Sequence, residues 1–314
     1  MAARRRPVNR RVARACLIPL LGMLAGCAGM PPAQPRLDPT ARPEQSVENM
    51  LAQAHSAMER GQQRQAIRGY SSVLVKDPQN RQALLGLGAL HLQLGKYQTA
   101  EAVFSKELES HPQLPEALEG RGIARLRQQR YEDARKDLEQ AVALDPDRWK
   151  SWNSLGVLED LSGAHPAALG AYDRALAVLP DSPLVLNNKG YSLLMAHRYA
   201  EAEAVLRSGL SVDPKDAALR NNLGIALAWQ RRYPEAVRVV KDGLAESTAY
   251  NNVGYVAMLN GDLELAKTYF KKALELNPRY DVRAAQNLER VEAMLAVPAD
   301  SVPDAGVGGS KSSE

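Results

Sequence analysis

The chain has 314 residues, of which 45% are hydrophobic and 5% aromatic, and its formal net charge is +4 at pH 7. The first 26 residues hold six arginines and no acidic residue, so the remainder carries +4 − 6 = −2. A slightly acidic remainder gives no electrostatic reason to expect nucleic acid as a partner. The length suits one large domain or an extended array.

Residues 1–26 predict an export signal. The arginines precede a short apolar run, ACLIPLLGMLA at 15–25, which is shorter than the roughly 20 residues of a membrane-spanning helix and fits the apolar core of a signal peptide. The run ends in Leu24-Ala25-Gly26-Cys27. This order resembles the lipobox of bacterial lipoproteins, which implies cleavage before Cys27 and a lipid, including palmitate, on its thiol. The alternative is an ordinary secretory signal followed by an incidental cysteine.

Cysteine usage fits a lipid anchor. The two cysteines are Cys16 and Cys27, and Cys16 would leave with the signal, so no intramolecular disulfide could form. Each buried methylene contributes about 0.8 kcal/mol to membrane binding, so several acyl chains hold a protein firmly. Resemblance to Gram-negative lipoproteins implies that Ala28 directs the chain to the outer membrane, facing the periplasm. The proline-rich segment 27–46 predicts an extended tether.

From about residue 47 the sequence repeats itself. Six glycines lie 34, 34, 34, 34 and 30 residues apart, an alanine follows each by twelve positions, and a large apolar residue follows that alanine by four. The glycines are Gly88, Gly122, Gly156, Gly190, Gly224 and Gly254. An earlier, weaker unit has Ala54 in the place of glycine. Seven units therefore begin near 47, 81, 115, 149, 183, 217 and 247.

The fourth unit carries the clearest motif. "WNSLG" ends at Gly156 and is followed by Ala168, Tyr172, Ala175 and Pro180. This pattern resembles the tetratricopeptide repeat, which implies an all-α fold: a solenoid of helical hairpins over 47–280. Small residues let the two helices of a hairpin approach closely, and the residue before each closing proline is expected to end the second helix.

Two irregularities are expected near the end of the array. The sixth unit is four residues short and lacks the Asp-Pro turn, which predicts an irregular joint near 243–247. Residues 281–296 are expected to form a capping helix, whose apolar stripe would comprise Val282, Ala285, Leu288, Val291 and Leu295. Residues 297–314, rich in Pro, Gly, Ser and Asp, predict a disordered tail.

Paired asparagines recur at the start of the last units. Resemblance to tetratricopeptide repeats implies that positions 2, 5, 6, 9 and 12 of each unit line an inner, concave surface. Amides suit the backbone of an extended peptide, and apolar groups suit its side chains, so these positions predict a peptide-binding groove. The alternative is that the amides are polar surface residues or make hydrogen bonds between repeats. The predicted groove residues are Asn153, Asn187, Asn188, Tyr191, Asn221, Asn222, Ile225, Asn251, Asn252 and Tyr255.

Nothing in the sequence predicts an enzyme. The five histidines show no metal-ligand spacing, and His111 and His165 are expected to be solvated turn residues. Gly86 and Gly88 resemble the start of a nucleotide-binding fingerprint, but the third glycine and the preceding strand are missing. We therefore predict no catalytic residue, metal or cofactor.

The C-terminal half suggests a cellular system. "NNLGIALAWQRRYPEA", "YNNVGYVAMLNGDLELAKTYFKKALELNP" and "RAAQNLERV" resemble the TadD proteins of the Flp, or tight-adherence, pilus system. That resemblance implies a scaffold that helps to assemble or localise the outer-membrane secretin of a type IVb-like pilus. A lipoprotein adaptor for peptidoglycan enzymes, or for cell-envelope assembly in general, is the alternative. An enzyme is a third hypothesis without a catalytic constellation to support it.

Overall fold

The computed structural model describes residues 46–277 and 282–296. The predicted signal, Cys27, nearly all of the predicted tether and the predicted tail lie outside the described residues. Within them the fold is entirely α-helical, as predicted: seven consecutive hairpins and a final single helix. The helices are α1 Val47–Glu59, α2 Gln63–Lys76, α3 Arg81–Gln93, α4 Tyr97–Ser110, α5 Pro115–Arg127, α6 Tyr131–Leu144, α7 Trp149–Leu161, α8 His165–Val178, α9 Pro183–Met195, α10 Tyr199–Val212, α11 Ala217–Trp229, α12 Tyr233–Lys241, α13 Glu246–Leu259, α14 Leu263–Leu276 and α15 Val282–Ala296.

Local sequence explains where the helices begin and end. Ser182 caps α9 through its hydroxyl, and Pro183 occupies the first helical position, where a missing N–H costs nothing. The second helices α2, α6, α10 and α14 end just before the residue that precedes proline, as predicted. Each hairpin turns through one residue with positive φ, and in three hairpins that residue is not glycine: Gln129, His197 and Arg231.

The repeated glycines are packing positions. A methyl group added at Gly156 would lie 2.5 Å from the ring of Tyr172, and one at Gly190 would lie 2.5 Å from Leu206. The other repeated glycines meet the equivalent residue, sixteen positions later, in the same way. Tyr172 and Leu206 are fully or almost fully buried. The sequence spacing thus reports the contact between the two helices of each hairpin.

The two helices of a hairpin have different neighbours. Each first helix (α1, α3, α5 and so on) contacts the first helix of the next repeat, and α13 contacts α15. In the described part of the chain the second helices do not contact one another directly. The first helices therefore form one continuous packed layer, and its open side is a surface to which every repeat contributes.

The sixth repeat is irregular, as predicted. Its second helix, α12, has 9 residues, whereas the other second helices have 14. The chain turns after Asp242 and enters α13 at Glu246 without an Asp-Pro turn. Arg220 fills the space near this joint, since it donates to the carbonyl of Pro214 at 2.7 Å and lies 3.5 Å from Asp242.

Helix α15 covers the end of the array, but with a different face from the predicted one. Val282 is 56% exposed and Ala285 is also exposed, whereas Ala284 and Val291 are completely buried and Leu288 packs at the edge of the core. The buried stripe therefore begins at 284, and the prediction was wrong for 282 and 285. Among the described residues, no helix combines the length and the apolarity that crossing a bilayer requires.

Candidate protein-binding surface

The predicted asparagines join neighbouring repeats through their side chains. The amide nitrogen of each position-6 asparagine donates to the amide oxygen of the position-5 asparagine one repeat earlier. A fourth bond, from helix α15, continues the series and was not predicted. The bonds run from Asn188 to Asn153 (2.9 Å), from Asn222 to Asn187 (2.9 Å), from Asn252 to Asn221 (2.7 Å) and from Asn287 to Asn251 (3.0 Å). We call these residues the amide ladder.

The ladder lies at the boundary between core and surface. Asn153 and Asn251 are buried at 9% and 6% exposure, and the other ladder residues are half-buried. The hydrogen bonds between repeats that the sequence left open as an alternative are therefore present. They do not exhaust the amides, because a donating side chain keeps its oxygen and a second N–H, and an accepting one keeps its NH₂ group.

Apolar side chains flank the ladder on the same helices. Tyr191 and Tyr255 at position 9 are 47% and 39% exposed, and Ile225 at the same position is half-buried. They lie four residues, about one helical turn, after the position-5 amides. A surface tyrosine ring offers apolar area and a hydroxyl that can bond, which suits contact with another protein.

A second apolar track lies one further turn along the first helices, and the sequence interpretation missed it. Leu161, Met195 and Leu259 at position 13 are 58%, 40% and 49% exposed, and Trp229 at that position is half-buried. The signal was present in the sequence, because these residues are spaced 34, 34 and 30 apart. The first three repeats carry Glu59, Gln93 and Arg127 there, so the apolar track belongs to repeats four to seven.

Both tracks and the ladder meet in a pocket of about 550 Å³. A volume of this size is typical of protein sites that hold a ligand group. One wall is apolar and aromatic, and the other is made of amides. The lining residues are Met195, Asn221, Ile225, Trp229, Asn251, Asn252, Tyr255, Val256, Leu259, Arg283, Gln286 and Asn287. Four predicted groove residues and Tyr255 thus share one pocket with three side chains of α15.

The tryptophan in this pocket is held in place from behind. Its ring stacks on Tyr199 with centroids 5.3 Å apart and planes 4° from parallel. His197 contacts the edge of the same tyrosine ring, with centroids 5.9 Å apart, and its Nδ1 lies 2.7 Å from the tyrosine hydroxyl. The apolar wall is therefore preorganised, which lowers the entropy lost when a partner binds.

The other predicted groove residues lie on the same layer but outside this pocket. Asn153 and Asn188 span the junction between repeats four and five, and Asn187 and Asn222 span the next one. Tyr191 lies on α9, half a helix before Met195. The candidate surface therefore extends from α7 to α15, and the pocket is its C-terminal part.

A polar cluster at the junction of repeats four and five corrects one sequence expectation. His165 is the first residue of α8, and its Nδ1 lies 2.9 Å from Asp160, so it is not a solvated turn residue. Asp160 also accepts from Ser192 (2.7 Å) and Tyr172 (2.8 Å). Burial raises the pKa of Tyr172, and the carboxylate of Asp160 raises it further. The serine bonds to the aspartate rather than to the histidine, so no base activates it.

Other repeat junctions are joined by ionic contacts. Glu101 on α4 accepts from Arg125 and Gln128, both at 2.9 Å, and Glu203 three repeats later accepts from Gln230 at the same distance. Burial raises the pKa of Glu101, but the hydrogen bonds outweigh it and hold the pKa below its ordinary value. In the part of the chain that the structure describes, no group of His, Cys, Asp and Glu has the geometry of a metal site.

The fold and its open layer of first helices define a tetratricopeptide-repeat solenoid. A family model described as the C-terminal domain of cilia and flagella-associated protein 70 matches residues 28–249, and the chain belongs to this tetratricopeptide-repeat family. The model of the tetratricopeptide repeat itself matches residues 247–280. Neither model describes a catalytic family. No protein with a curated function matches the sequence.

Solved structures share the fold. A tetratricopeptide repeat protein from Parabacteroides merdae ATCC 43184 is 19% identical, with 78% of this chain and 98% of that chain covered and a TM-score of 0.54. For pilF of Pseudomonas aeruginosa the values are 18%, 68%, 97% and 0.54. For a thermophilic repeat protein from Thermus thermophilus they are 23%, 58%, 99% and 0.51. At these identities the likeness is one of fold. Proteins of this fold bind protein partners and are generally scaffolds rather than enzymes.

Proposed function

We propose that this chain is a lipid-anchored, non-enzymatic scaffold that acts in the assembly of a Flp, or tight-adherence, pilus or of its outer-membrane secretin. It binds protein partners through the groove on its first helices. The observation that carries the proposal is the amide ladder lying beside exposed apolar side chains on the same helices of repeats four to seven.

The groove suits an extended segment of a partner. Amide groups that the ladder has already oriented can bond to the partner's backbone, and the apolar tracks can take its side chains. Because the ladder and the stacking of Tyr199 on Trp229 order these side chains before binding, little rotamer entropy remains to be lost.

The cellular system is inferred from the sequence. The resemblance of the C-terminal half to TadD proteins supports a pilus role, and the lipobox-like run that ends at Cys27 supports an anchor in the outer membrane, with the repeats in the periplasm. Lipid at Cys27 would keep the groove close to a secretin that assembles in the same membrane.

Gene deletion tests the assignment to the pilus. Loss of secretin multimers and of surface pili is expected, and intact levels of both would refute the pilus role. Co-purification with peptidoglycan hydrolases or synthases instead would favour the adaptor alternative. Cys27→Ser separates anchoring from binding, because this variant should stay folded and bind its partner yet fail to restore pili.

A groove variant tests the surface. Leu259→Ser removes an apolar side chain from the pocket lining, so it should weaken complementation of the deletion. Val212→Ser is the matched control, because Val212 is similarly exposed (43% against 49%) but lies on the second helix α10, outside the pocket. Equal complementation by the two variants would count against the groove.

A further inference from the structure

Helix α15 adds a charge to the groove. Of the twelve residues that line the pocket, Arg283 is the one charged residue, and it is exposed. The remaining lining consists of six apolar or aromatic side chains and five amides. Among the described residues no carboxylate pairs with Arg283, whereas the arginines at the repeat junctions, such as Arg125 and Arg148, are paired.

The lining specifies the chemistry of an occupant. The apolar wall of Trp229, Tyr255 and Leu259 favours a large apolar side chain. A guanidinium at the edge of such a wall attracts a carboxylate, and their hydrogen-bonded pair is stronger than a pair of neutral groups. A basic segment would be repelled by the same group.

We propose that the groove selects an extended peptide segment in which a large apolar residue neighbours an acidic one, and that Arg283 pairs with the acidic side chain. This inference rests on the proposed binding function and deepens it by stating the partner's chemistry. It also changes the role of α15, which then forms part of the recognition surface as well as the cap of the array.

The size of the recognised segment follows from the fold. The pocket reaches from α9 through α11 and α13 to α15. Adjacent packed helices lie about 8–10 Å apart, so the three intervals span roughly 25–30 Å. An extended chain rises about 3.3 Å per residue, and therefore about eight or nine residues cross the groove.

Selection from a random decapeptide library on the full chain, purified in detergent, tests the inference. We expect peptides with Asp or Glu beside Phe, Trp, Leu or Met to be enriched at least fivefold over the input. Arg283→Glu should reverse the preference towards Lys or Arg and weaken the best selected peptide by at least about tenfold. Arg290→Glu, an equal charge change at an exposed position of α15 outside the pocket, should select as the unaltered chain does.

The outcomes separate this inference from the proposed function. Apolar peptides that depend on Trp229 but show no acidic preference would overturn the inference and leave the binding function standing. A library that yields no binder would overturn both. Residues 297–314 carry Asp300, Asp304 and Glu314 and are a competing occupant. Enrichment that appears only after their removal would overturn the inference in favour of the chain's own tail.

Discussion

The amide ladder makes a quantitative prediction for the variant Asn188→Ala/Asn222→Ala/Asn252→Ala. Each substitution removes the donor of one hydrogen bond between repeats, at 2.9, 2.9 and 2.7 Å. A neutral hydrogen bond contributes about 0.5–1.5 kcal/mol net to stability. The three bonds lie one repeat apart and share no residue, so their effects should add. The variant should therefore lose about 3 kcal/mol of its free energy of unfolding.

Urea denaturation followed by circular dichroism measures this loss. With a slope of about 2 kcal/mol per molar urea, the midpoint should fall by about 1.5 M. Asn49→Ala is the matched control, because Asn49 is an exposed asparagine on α1 and its replacement should change stability by less than about 0.5 kcal/mol. Equal midpoints for the triple variant and the control would refute the stabilising role of the ladder.

The same prediction affects how binding data are interpreted. Because the ladder joins repeats, weaker partner binding by the triple variant would not show that the amides touch the partner. Exposed apolar positions such as Leu259 are cleaner probes of contact, since they are outside the hydrophobic core.

Three further predictions concern the packing, a turn and the ionic contacts. Gly156→Ala should cost about 1–3 kcal/mol, because its methyl group would lie 2.5 Å from the buried ring of Tyr172. Gly170→Ala, in an exposed part of α8 with open space around it, should stabilise by about 0.5–1 kcal/mol; both are measured by thermal unfolding, and a reversed order would contradict the packing. Gln129→Gly should raise the thermal midpoint, since Gln129 has φ 61° and a left-handed backbone costs a non-glycine residue about 1–2 kcal/mol, part of which the flexibility of unfolded glycine offsets; a lower midpoint would contradict this. The lowered pKa of Glu101 means that its stabilisation is present above the unfolded pKa near 4.5 and is lost as the pH falls through the folded pKa, so the stability gap to Glu101→Gln should be largest at pH 7 and shrink below about pH 4.5; a gap independent of pH would refute it.

The packing of the hairpins could be predicted from the sequence for a physical reason. Between two buried helices a glycine and the large residue sixteen positions later must fit each other, so repeats of Gly156 with Tyr172 and of Gly190 with Leu206 leave a regular trace. The short sixth repeat was predictable too, because a missing turn motif shortens a helix whatever its neighbours do.

The partners across repeats could not be predicted. Which position-5 amide meets which position-6 amide depends on how one hairpin sits on the next, and single-repeat patterns do not contain that offset. For the same reason the stripe of α15 was misplaced. An apolar set that starts at Val282 and one that starts at Ala284 both fit a helical period, and only the docking of the helix decides between them. The position-13 residues were missed because exposed and buried apolar residues look alike in a sequence.

Site-specific photo-crosslinking in cells tests most directly that the layer of first helices binds the partner. A photoreactive residue at position 255, on the rim of the pocket, should crosslink to one protein of the envelope. The same residue at position 75, where Val75 is 83% exposed on the second helix α2, should not crosslink to that protein. Crosslinks to the same protein at position 75 and none at position 255 would contradict the account.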